Sequence, residues 1–127
     1  MMKRTINSKK APQAIGPYSQ AVQTGQLLYV SGQLPVDAAT GQLVQSNIEA
    51  ETKQVLENIK AIIEEAGAKM ADIVKTTIFI KDMNDFQRVN EAYQDYFQTE
   101  PPARVCIEVS KLPKDANIEI DAIAYIG

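Results

Sequence analysis

The apolar residues of this 127-residue chain switch four times between strand and helical spacing, and that alternation restricts the folds open to it. From Ile48, the positions Val55, Leu56, Ile59, Ile62 and Ile63 recur at helical period. Ser46 and Glu49 stand in capping-box register ahead of them, and Gly67 is a natural stop. Ile73 to Lys81 is then rich in β-branched residues and reads as a strand. A second helical stripe, Phe86, Val89, Tyr93, Tyr96 and Phe97, begins near Asn84 with Gln87 at the capping position, and ends before Pro101-Pro102. Ahead of both helices, Gln20 to Val22 and Leu27 to Val30 flank the turn Thr24-Gly25 as a hairpin. Residues 1–15 read as strand or coil, and 37–41 as a loop. Two further period-two runs, from Arg104 to Val109 and from Ile118 to Ile126, complete the chain.

The order strand, strand, helix, strand, helix, strand, strand predicts a single α+β domain over 1–127 with one mixed sheet. Right-handed crossovers put both helices on the same face of that sheet. The opposite face is left bare, with Tyr29, Ile73, Phe79, Ile123 and Tyr125 among its polar residues. An apolar face of that extent calls for a cover, and self-association supplies one.

Composition removes several functional classes. Net charge is −3, which argues against a nucleic-acid binder working by phosphate neutralisation. The basic residues Lys3, Arg4, Lys9 and Lys10 read as a solvated N-terminal segment. No long apolar run predicts a membrane span, and no apolar segment follows the basic start as a secretory signal would. One cysteine forms no internal disulfide, which suits a cytoplasmic protein. With no histidine and one cysteine, the usual zinc sites and Ser-His or Cys-His pairs are unavailable, and no Gly-rich phosphate loop is present. Neither metal nor cofactor is expected. Chemistry falls to carboxylate, Arg, Lys, Tyr, Ser, backbone groups and water.

The final two strands carry the most suggestive pair. In the first, Val105, Ile107 and Val109 alternate with Arg104, Cys106 and Glu108. In the second, Ile118, Ile120, Ala122 and Ala124 alternate with Glu119, Asp121 and Tyr125. If the two apolar sets share one core, Arg104 and Glu119 share the other face. A surface ion pair is the ordinary reading of such residues. On a covered face, however, a guanidinium fork beside a carboxylate suits a small carboxylate-bearing ligand and a proton transfer upon it. Lys75 falls on the same inferred face, as a solvated residue or a second cation. Tyr18, after Gly16-Pro17, packs on a turn or overhangs a pocket. Ser31-Gly32 at a strand end either terminates the strand or offers an N–H and a hydroxyl to an anion. Asn90 interrupts the second helix stripe. Cys106 reads as packing rather than nucleophile, having no base beside it.

Several long motifs, in order, resemble the RidA/YjgF family of reactive-intermediate deaminases over essentially the whole chain. They are Ala14-Ile15-Gly16-Pro17-Tyr18-Ser19-Gln20-Ala21, Ser31-Gly32-Gln33-Leu34-Pro35, Asp72-Ile73-Val74-Lys75-Thr76-Thr77, Lys81-Asp82-Met83-Asn84-Asp85-Phe86 with Asn90 and Tyr93, and Pro102-Ala103-Arg104 through Ile118-Glu119-Ile120. The resemblance implies a chorismate-mutase-like fold, a homotrimer with sites between subunits, and hydrolysis of 2-imino acids or enamines such as 2-aminoacrylate to 2-keto acids and ammonia. It implies that Arg104 holds the substrate carboxylate and that Glu119 positions or activates water. Tyr18, Ser31, Gly32, Lys75, Asn90 and Cys106 are expected to line or brace the pocket. A metabolite-binding regulatory module and a ribonuclease or translation inhibitor are the alternatives within the family. Two positions depart from the common pattern. Val105 stands where serine is frequent and is expected on the core face, and the connection from Gln98 to Pro101 is short and lacks a phenylalanine before Pro-Ala-Arg.

Overall fold

The computed structural model describes residues 3–127; Met1 and Met2, part of the segment expected as strand or coil, lie outside the described residues. Six strands form one sheet: β1 (Lys3–Ile6), β2 (Ala21–Thr24), β3 (Leu27–Gln33), β4 (Ile73–Ile80), β5 (Ala103–Glu108) and β6 (Ile118–Tyr125). They lie in the order β1-β2-β3-β6-β4-β5. Only β4 and β5 pair in parallel; the other pairings are antiparallel. Helix α1 (Ile48–Glu65) links β3 to β4, and α2 (Phe86–Gln94) links β4 to β5.

Both helices cover one face, as the crossover rule requires. Leu56, Ile59, Ile62 and Ile63 of α1 and Val89 of α2 are fully buried over Leu28, Ile78, Ile80, Ile118 and Ile120 of the sheet. Each such side chain contributes about 1.5–3 kcal/mol by leaving water. The aromatic stripe of α2 is core in part: Tyr93 and Phe97 are buried with ring centroids 4.6 Å apart, and the Tyr93 hydroxyl meets Thr76 Oγ1 at 2.7 Å. The caps fall near the expected positions but on other residues. Asn47 caps α1 by accepting from the Ala50 amide, and the Asp82 carboxylate accepts from the Asn84 amide at a 3-10 turn leading into α2.

The opposite face is bare in one chain, and it exposes Leu27, Tyr29, Val74, Val105, Ile107 and Tyr125. Ile73 departs from the expectation that it lies there. Pairing between β4 and β6 shifts register between Ile73 and Lys75, so Ile73 turns into the core while Val74 and Lys75 both face solvent. A bulge of this kind resets the alternation.

The faces of β5 are also the reverse of those expected. Its parallel register sets Arg104 beside Thr76 and Cys106 beside Ile78, both buried under the helices. Val105 and Ile107 are 43% and 41% exposed on the bare face, so Val105 is not a core residue. Apolar alternation misleads here because both faces of this edge strand carry apolar residues. Glu119, paired with Phe79, projects from the bare face. Within one chain, then, Arg104 and Glu119 stand on opposite faces of the sheet. Lys75 is beside Ile123 on the bare face rather than beside Arg104.

Candidate active site

The structure places most of the expected site residues in two separate candidate half-sites, one on each face of the sheet. The first is built where β5 meets α2. Arg104 extends along the helix-side face past the end of the core, and its guanidinium carbon lies 5.2 Å from the Tyr93 ring centroid and 5.5 Å from that of Phe86. Its Nη1 donates to Asn90 Oδ1 at 2.7 Å. No carboxylate pairs with it among the described residues, although the chain is acidic. Two rings and one amide therefore orient a planar cation whose remaining donors are open to an anion. Asn90 and Arg104 meet as expected, and Cys106 lies one residue pair further along the same face. Burial raises the Cys106 thiol above its ordinary value, with Arg104 opposing, so the thiol is protonated at neutral pH. This supports packing rather than attack.

The second half-site is a cleft of about 650 Å³ on the other side, lined by Ile15, Tyr18, Gly32, Leu34, Lys114 and Glu119 among others. A bulge makes it. Between Val30 and Gln33 the β3–β6 register slips, which brings Gly32 flush against the Glu119 side chain. A Cβ at Gly32 would stand 2.8 Å from Glu119 Cδ and overlap the carboxylate oxygen. Burial raises the Glu119 carboxyl, and neighbouring Asp121 raises it further. Both effects hold the proton more firmly than in water, as a group that takes and returns one requires.

Ser31 braces this half-site. Its amide donates to Gln20 O at 2.9 Å and its hydroxyl to Ser19 O at 2.6 Å, fastening the bulge to the segment that carries Tyr18. Both of its protons are thereby committed, which departs from the expectation that they meet an anion. Tyr18 is half exposed after Gly16, whose φ of +123° favours glycine. Among the described residues Lys75 neither lines the Glu119 cleft nor contacts Arg104.

Sequence reasoning missed several lining residues. Leu34 and Val36 are held at the cleft by buried Asn58, whose Nδ2 donates to their carbonyls at 3.1 and 2.9 Å. Lys114 follows Pro113 with φ of +59°, and so does Asp115, which Lys81 clamps at 3.0 Å. Consecutive left-handed non-glycine residues beside a cleft are a structural signal, but nothing in residue type announces them. Phe86 and Tyr93 read as helix stripe and were not expected to carry Arg104.

The chain belongs to the family described as Endoribonuclease L-PSP, whose sequence profile matches residues 8–126; this is the RidA/YjgF family that its motifs resemble. A RutC family protein of Pyrococcus abyssi is 54% identical over 125 residues, with 98% of each chain covered. The 2-iminobutanoate/2-iminopropanoate deaminase of Salmonella typhimurium is 52% identical over 126 residues, covering 97% of this chain and 98% of that one. The solved structure of Escherichia coli TdcF with bound serine superposes with a TM-score of 0.94 at 42% identity, covering 98% of this chain and 99% of that one. Among the described residues no helix is long and apolar enough to cross a membrane.

Proposed function

We propose that the protein hydrolyses 2-imino acids, and enamine tautomers such as 2-aminoacrylate, to 2-keto acids and ammonia. The site is composite: Arg104, Asn90 and Cys106 come from one copy of the chain, and Tyr18, Gly32 and Glu119 from another, in a homotrimer. One observation carries this reading. The carboxylate-binding cation and the candidate base lie on opposite faces of the same sheet, each open to a partner. The bare face with its exposed Tyr29, Val105, Ile107 and Tyr125 supports association. The trimeric count rests on the family resemblance. The Salmonella relative's name and the serine bound to TdcF support a small amino-acid-like ligand.

In this mechanism Arg104 grips the substrate carboxylate through charge-assisted contacts, and its place over the Phe86 and Tyr93 rings, with the Asn90 hydrogen bond, holds it there. The Cys106 carbonyl accepts from the substrate nitrogen. Glu119 takes a proton from water as the oxygen bonds to the iminium carbon. It returns that proton to nitrogen in the tetrahedral adduct. The carbon–nitrogen bond then breaks as the hydroxyl proton passes to Glu119, leaving a keto acid and ammonia, which takes up the released proton as ammonium. Because the group's pKa is raised, the acid limb of the rate profile should lie above the ordinary carboxyl value of 4.5.

The family description also names endoribonuclease activity. The net charge of −3 and the absence of histidine weigh against phosphate-driven binding and general acid–base cleavage of RNA. A regulatory module would use the same Arg104 pocket without turnover. The deciding experiment generates 2-imino acids in situ with an amino-acid oxidase and follows keto-acid release. Glu119→Gln should lose turnover by about 10²–10⁴-fold while still binding 2-keto acids. Normal turnover in that variant would refute Glu119 as the base, and no acceleration by the wild type would refute the deaminase reading.

A further inference from the structure

Packing does not account for the hydroxyl of Thr76. This residue is fully buried on the helix side of β4, in line with Ile78 and Ile80 and opposite Ala122 of β6. A valine would fill the same space without taking a hydroxyl out of water. The Thr76 hydroxyl meets that of Tyr93, also buried, at 2.7 Å. Burial raises the Tyr93 phenol above its ordinary value of 10, with Thr76 and Arg104 opposing, so it is a neutral hydrogen-bonding group at neutral pH.

The two hydroxyls close a circuit around Arg104. Its backbone is beside Thr76 in the parallel β4–β5 ladder. Thr76 holds the Tyr93 hydroxyl, and the Tyr93 ring lies beneath the Arg104 guanidinium. Phe86, Asn90 and Tyr93 stand at i, i+4 and i+7 of α2, so both rings and the amide that hold the guanidinium share one stripe. Helix α2 has nine residues, and its roll about its own axis sets all three contacts together. The Thr76–Tyr93 bond is a buried polar tie between that stripe and the sheet.

We infer that Thr76 is a positioning residue: through Tyr93 it fixes the roll of α2, and with it the direction in which the Arg104 guanidinium is offered to an anion. The inference deepens the proposed function and rests on Arg104 as the carboxylate holder. The rival account is that the bond merely satisfies two buried hydroxyls.

The test uses Thr76→Val, Tyr93→Phe and the double variant, each examined by calorimetry with 2-oxobutanoate, steady-state imine hydrolysis and thermal melting. Either single change leaves one hydroxyl buried alone and should lower the melting temperature; removing both should bring it back near the wild-type value. Affinity should not follow. Thr76→Val and the double variant should bind 2-oxobutanoate about tenfold more weakly and raise KM by the same factor, with kcat within about threefold. Thr76→Ser gives up a core methyl but keeps the hydroxyl, and should keep the affinity. The Arg104 Nε–H resonance, identified by its loss in Arg104→Lys, should shift in the double variant as the rings move relative to it. Affinity that recovers with stability in the double variant, or is unchanged in Thr76→Val, overturns the inference and leaves the deaminase reading intact. No turnover of any imine by the wild type, with the affinity pattern as expected, overturns the deaminase reading and upholds the inference. Unchanged 2-oxobutanoate affinity in Arg104→Ala overturns the inference together with the carboxylate-holding role.

Discussion

Gly32→Ala isolates the geometry of the proposed base without touching the base itself. The new Cβ would lie 3.1 Å from Glu119 Cγ and 2.8 Å from its Cδ, against an ordinary carbon–carbon separation of about 3.5–4.0 Å. Relief requires the carboxylate to swing away by about 1 Å. That motion is inexpensive for a side chain with free rotors, so the fold survives. Gly32 has no positive φ, and the substitution should leave the melting temperature unchanged or raise it slightly. Catalysis has no such latitude. A displacement of about 1 Å at the reacting groups costs on the order of 10²-fold. Steady-state imine hydrolysis should therefore show kcat lower by about 10²-fold with 2-keto acid affinity changed only a few-fold. Circular dichroism melting confirms the fold. Activity within threefold of wild type, in a folded protein, would refute the claim that Gly32 keeps the place of the Glu119 carboxylate.

Arg104→Lys should lose at least about tenfold in kcat/KM, because an ammonium cannot both keep the hydrogen bond to Asn90 and offer a carboxylate a two-pronged contact; near-normal kinetics would show that charge alone suffices. Cys106→Ser should stay within about tenfold of wild type, since the thiol is protonated at neutral pH. A folded but inactive variant, or a thio-adduct trapped by mass spectrometry during turnover, would make the thiol a nucleophile. Glu51 is buried, accepts from Asn117 Nδ2 at 2.9 Å, and has its carboxyl raised above the ordinary 4.5 by burial. The folded state then binds more protons than the unfolded one, so this group's contribution to stability falls as pH rises above the unfolded value. Glu51→Gln keeps the acceptor and should raise the melting temperature more at pH 7 than at pH 4; equal shifts at both pH values would contradict the linkage.

Apart from β1, which read only as strand or coil, element types and order were legible because the two helical stripes and the flanking strands differ in period. The positions of the faces were less so. In β4 the bulge between Ile73 and Lys75 turned Ile73 inward, and no residue type marks it. In β5 the exposed Val105 and Ile107 imitate a core face because this edge strand carries apolar residues on its bare side. Reading that strand from alternation alone joined Arg104 to Glu119 on one face, where the parallel pairing with Thr76 and Ile78 separates them. Arg104, Glu119 and Gly32 were singled out all the same, since they sit within long motifs. Leu34 and Lys114 line the cleft through backbone placement, by the Asn58 side chain and the left-handed turn, which periodicity does not register.

The central claim, a site shared between copies, is tested most directly by mixing two inactive chains. Arg104→Ala and Glu119→Gln are each purified, unfolded together in equal amounts and refolded, then assayed for imine hydrolysis against each variant refolded alone. If Arg104 of one copy serves Glu119 of the next, about one quarter of the interfaces in a cyclic assembly receive both intact residues. The mixture should then recover about a quarter of the wild-type rate per site. If each chain supplies both residues to its own site, the mixture stays as inactive as its components, and the composite-site account is wrong.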